Sequence, residues 1–65
     1  MNWELYEVWA EDDIGHQELV DTTKSLKEAQ ELAKLKIEDE GIEAVYIYRE
    51  TEDGDLEEIE RLTLY

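Results

Sequence analysis

The chain contains no cysteine, so neither a disulfide framework nor a thiolate-bound zinc can staple it. It also lacks proline and any run of about 20 apolar residues, and the second absence excludes a membrane-spanning helix. Positive charge is scarce. Six Lys and Arg stand against twenty Asp and Glu in 65 residues, a formal net charge of −14. Affinity for a phosphate backbone comes from cationic side chains that displace counterions. Lys24, Lys27, Lys34, Lys36, Arg49 and Arg61 are too few for that, so no direct nucleic-acid binding is expected, and anionic membrane surfaces are disfavoured for the same reason. The first residues, Met-Asn-Trp-Glu-Leu-Tyr-Glu, are acidic and form no apolar stretch. That predicts no secretion signal and a cytoplasmic protein.

The residues that carry chemistry are equally sparse. His16 is the only histidine, lies in a turn pattern, and has neither a second His or Cys to complete a zinc set nor a nucleophile beside it. A calcium loop framed on Gly54 would put Arg49 first and Thr51 third, and one framed on Gly15 would put Ala10 first and Ile14 fifth. Both frames lack the acidic oxygen ligands those positions need. Carboxylates are so abundant that any acid/base pair could be drawn, and the signal is void. No catalytic residue, metal site or cofactor is assigned, and the expectation is a protein that is not an enzyme.

What is present is periodicity. Leu, Ile and Val make up 16 of the 65 residues, enough to argue against disorder despite the charge. The chain is read as one small domain, residues 1–65. Trp3 to Ala10 reads as a strand, and Asp12-Asp13-Ile14-Gly15-His16 as a three-residue hairpin loop with Gly15 in the left-handed region. Pairing Asp12 with His16 sets Trp9 opposite Leu19, Val8 opposite Val20 and Tyr6 opposite Thr22. Ser25-Leu-Lys-Glu28 is a capping box, which predicts a helix from Leu26 to about Asp39 with Gly41 as its stop. Leu26, Ala29, Ala33 and Ile37 form its stripe, Leu32 flanks it, and Leu35 falls on the far side.

Ile42 to Glu50 is the strongest strand, and Thr51-Glu52-Asp53-Gly54-Asp55 repeats the earlier loop. Pairing Thr51 with Asp55 places Ile47 opposite Ile59 and Arg49 opposite Glu57. The last segment, Leu56 to Leu64, is read as a strand that completes this hairpin. The competing signal is a helix, because Asp55-Leu-Glu-Glu58 resembles a second capping box and Leu56, Ile59 and Leu62 lie at helical spacing. The expected fold is α+β, in the order β-β-α-β-β, a four-stranded mainly antiparallel sheet with one helix on one face. Sliding the chain by 39 residues lays Gly15 on Gly54, Val8 on Ile47 and Val20 on Ile59, which suggests a duplicated hairpin.

Strand alternation then divides the side chains between two faces. Tyr6, Val8, Ala10, Val20, Val45 and Ile47 share the side a Leu- and Ala-striped helix can cover. Trp3, Leu5, Trp9, Leu19, Tyr46 and Tyr48 gather on the other, where the sequence supplies no second helix. Large aromatics left in contact with water are enriched at interface cores. Trp3, Leu5, Trp9, Tyr46 and Tyr48 are therefore the candidate partner-binding residues, and a homodimer or another protein is the expected partner. An alternative rests on the runs Glu11-Asp12-Asp13, Glu38-Asp39-Glu40 and Glu50 to Glu60, whose carboxylates would mimic nucleic acid and block a basic DNA- or RNA-binding protein.

Overall fold

Two hairpins with the same turn chemistry precede and follow a single helix along the chain. The computed structural model describes residues 5–64. Strand β1 spans Tyr6–Asp12, β2 Gln17–Thr23, helix α1 Leu26–Lys36, β3 Ile42–Glu50 and β4 Leu56–Thr63. The strands form one sheet in the order β2-β1-β3-β4, and every neighbouring pair is antiparallel. The α+β, β-β-α-β-β reading is borne out, and the last segment is a strand.

The turns form as their residues dictate. In the first, Asp12 N donates to His16 O at 3.0 Å and Gly15 N to Asp12 O at 3.2 Å, while Asp12 Oδ1 accepts from the backbone N–H of Ile14 and His16. In the second, Thr51 N donates to Asp55 O at 2.8 Å and Gly54 N to Thr51 O at 3.0 Å. Gly15 and Gly54 close the loops at φ 85° and 86°, a region that costs a side-chain-bearing residue free energy.

Register departs from the expected pairing beyond each turn. Trp9 is opposite Leu19, as expected, but the ladder then slips by one residue, so that Val8 faces Asp21 and Tyr6 faces Thr23. The second hairpin does the same: Arg49 faces Glu57, as expected, yet Ile47 faces Glu60 rather than Ile59. Val20 and Ile59 are the extra residues of two β-bulges, one on each edge strand. Both are packed against the core. The 39-residue offset thus relates the turns, the glycines and the bulges of the two hairpins.

Helix α1 begins at the Ser25 N-cap, whose Oγ accepts from Glu28 N. It ends three residues sooner than expected, at Lys36 instead of about Asp39. Glu38 N and Asp39 N bond to the carbonyls of Leu35 and Lys36, so the chain leaves the helix through tighter i to i+3 turns. Ala29 and Ala33 are fully buried against the sheet, which lets the helix lie close to β1 and β3. The core joins them to Tyr6, Val8, Ala10, Val45 and Ile47, with Val20, Leu26, Leu32, Ile37, Ile42, Ile59 and Leu62 around its margin. Leu35 is exposed, on the far side of the helix, as its spacing indicated.

Candidate functional site

The sheet face opposite the helix is built by alternation from the two central strands. Trp9 on β1 lies directly across from Tyr46 on β3, and on its other side from Leu19 on β2. Tyr48 follows Tyr46 on the same face, and the two rings stack with centroids 6.2 Å apart at 28°. Leu5 precedes β1 and accepts a hydrogen bond from Glu50 N at 2.9 Å, which holds it against the end of β3. Four of the five expected partner-binding residues, Leu5, Trp9, Tyr46 and Tyr48, belong to this region and are each half-buried. Trp3 lies outside the described residues.

Each described ring on this face has a charged neighbour. Trp9 Nε1 donates to Glu7 Oε1 at 3.0 Å, and Tyr46 OH donates to Glu11 Oε2 at 3.2 Å. Gln17 Nε2 braces Glu11 Oε1 from β2 at 3.1 Å. The Arg61 guanidinium sits over the Tyr46 ring, 5.3 Å from its centroid, and its Nη2 is 3.4 Å from Glu58 Oε1. Glu7 and Glu58 are the cross-strand neighbours of Tyr48 on its two sides. The face is therefore a lattice of rings and carboxylates, in which Ala44 is buried. It is not a bare apolar sheet.

The electrostatics follow from that lattice. Burial holds the Tyr46 phenol above its ordinary pKa, and the hydrogen bond to Glu11 with that carboxylate's charge pushes the same way, opposed in part by Arg61. Tyr48 is raised by burial first and by the charge of Glu58 second. Both phenols stay neutral and can donate throughout the physiological range.

The sequence pattern exposed the rings and all but one of the charged groups around them. Glu7 and Glu11 were legible, since each is two residues from Trp9 and so shares its face. Glu58 was legible as well, since the expected pairing of Arg49 with Glu57 sets Tyr48 opposite Glu58, whereas Arg61 was not, because the Ile59 bulge decides which face it joins. Among the described residues, no group of three or more His, Cys, Asp and Glu converges as metal ligands. His16 occupies the first turn, beside a polar cleft lined by Asp12, Glu18 and Lys36. No described helix is long and apolar enough to cross a membrane.

The acidic runs do not share one surface. Glu11-Asp12-Asp13 and Glu38-Asp39-Glu40 belong to the end of the sheet where β3 begins, since Asp12 pairs with Ile42. The Glu50 to Glu60 run starts at the opposite end, where Glu50 meets Leu5. No family model matches this chain, and no curated protein or solved structure is significantly similar to it.

Proposed function

We propose that this chain is a non-enzymatic protein-binding module and that the sheet face opposite α1 is its docking surface. The observation that carries the reading is the placement of Trp9, Tyr46 and Tyr48 together on that face, pre-positioned by cross-strand packing and by hydrogen bonds to Glu7 and Glu11. Aromatic side chains held in fixed rotamers lose little further entropy on binding, which suits them to anchor a partner.

The two edges of the sheet serve this role less well. Each outer strand is interrupted by a bulge, and β4 presents Glu57, Glu58, Glu60 and Arg61 along its length. Bulges and charges on edge strands discourage the addition of another strand. The face is the more favourable contact.

Self-association through the face is the simplest form of the proposal, and charge opposes it. Beside the described rings each copy presents Glu7, Glu11 and Glu58 with Arg61, so two opposed copies would bring these six carboxylates together with two guanidiniums. Like charges that meet across an interface weigh against the wrong pairing. A partner of opposite sign fits better than a second copy.

Affinity capture tests the reading with three baits: the wild-type chain, Trp9→Leu with Tyr48→Leu, and a Leu35→Ser control on the far side of the helix. The proposal expects polypeptides retained by wild type and by the control but lost with the face variant. Loss with the control and retention by the face variant would overturn it.

A further inference from the structure

The open face carries, within one molecule, a worked example of the contact it could make with another. The Arg61 guanidinium lies over the Tyr46 ring at 5.3 Å while its Nη2 approaches Glu58 at 3.4 Å. A delocalised cation thus sits over an aromatic face while one of its nitrogens approaches a carboxylate, a combination available to Arg and poorly matched by Lys. Tyr46 is occupied in this way. Trp9 and Tyr48 are half-buried rings flanked by carboxylates in the same manner, Trp9 by Glu7 and Glu11 along β1, and Tyr48 by Glu7 and Glu58 across its two neighbouring strands.

We infer that the open face binds an arginine-bearing segment of a basic protein, whose guanidiniums stack on Trp9 and Tyr48 and pair with Glu7, Glu11 and Glu58. This rests on the reading of the face as a docking surface and names the chemistry of its partner. The carboxylates keep capacity for the role. An ionised carboxylate offers about four lone-pair sites, and Glu7 is bonded to one indole N–H, Glu11 to one phenol and one amide. Their existing bonds hold them beside the rings, so a guanidinium meets a carboxylate already in place. The chain's overall charge of −14 adds long-range attraction for a cationic segment.

The test is a titration of isotopically labelled protein, followed by NMR, with an arginine octapeptide and a lysine octapeptide of equal charge. The arginine peptide is expected to bind about two- to fivefold more tightly per stacked ring. It should shift the Trp9 indole, the Tyr48 ring and the Glu7, Glu11 and Glu58 side chains. Trp9→Leu should remove much of the arginine preference while leaving the salt dependence, and Glu7→Gln with Glu11→Gln should weaken both peptides and flatten that dependence. Tyr48→Leu repeats the first comparison if Trp9→Leu disturbs the fold.

Equal affinity for the two peptides, no binding, or shifts confined to the acidic turns at Asp12–His16 and Thr51–Asp55 would each overturn the inference. The docking reading falls separately, if capture is insensitive to the face variant.

Discussion

Val8 and Ile47 face one another across the two central strands, and the 39-residue offset that relates the hairpins carries Val8 onto Ile47. Both are fully buried beneath α1. The pair therefore marks the centre of a local two-fold relation, with β1 and β3 exchanging places on either side and β2 and β4 on the outside. The helix breaks the relation, because it covers one face and follows one hairpin.

The central pair should be the most sensitive packing site. Ile47→Ala is expected to cost about 2–5 kcal/mol, and Ile47→Val about 0.5–1.5 kcal/mol. A domain with so small a core has little to spare, so the alanine variant should be largely unfolded at room temperature. Urea denaturation followed by circular dichroism measures both.

The two turn glycines make a matched experiment. A Cβ at Gly15 or Gly54 would meet nothing within 4 Å, and both sit at nearly the same positive φ. Alanine at either position should therefore cost only the backbone strain, about 1–2 kcal/mol, and nearly the same amount at both. Equal shifts in the denaturation midpoint are the expected outcome. A markedly larger loss at one position would show that its loop makes contacts the other lacks.

Alkaline titration reports the environment of the open face. The Tyr46 pKa is raised, so the folded state holds its phenolic proton more tightly than the unfolded chain does. The associated stability is fully present below about pH 10, the unfolded value, and is lost as pH rises from there through the higher folded pKa. Glu11→Gln should move the Tyr46 transition back toward its ordinary value without reaching it, because burial is the larger cause. Phenolate absorbance of the wild type, the Glu11→Gln variant and a Tyr46→Phe variant isolates the shift.

Charge on the face also predicts how copies behave toward one another. Sedimentation at low salt should give a mass near 7.7 kDa, with any association appearing only as salt screens Glu7, Glu11 and Glu58. A dimer that is tight at low salt and weakened by added salt would contradict this account of the face.

Much of the architecture was legible in the sequence because local signals agreed with one another. Ser25 and Glu28 marked the helix start, the glycine loops marked both hairpins, and alternation assigned Tyr6, Val8, Ala10, Val45 and Ile47 to the covered face. The bulges were not legible, and they explain the ambiguity of the last segment. In a regular strand, Ile59 and Leu62 would point to opposite faces. The extra residue at Ile59 returns both to the core, so a strand acquires the three-residue spacing that reads as helix. Without the bulge, Arg61 would oppose Val45 on the covered side. With it, Leu62 opposes Val45, and Arg61 reaches Tyr46 on the open face. The rings of the candidate site could thus be found by counting in twos along β1 and β3. The cation that completes the site depended on a long-range ladder that no local pattern encodes.

The most direct test of the central claim is an NMR titration of the labelled chain with a polypeptide that it captures. Shifts are expected at the Trp9 indole and at Tyr46 and Tyr48, with the helix side unchanged. Shifts confined to the groove of Thr23, Leu32 and Leu35 between β2 and α1, with the Trp9 indole unmoved, would contradict it.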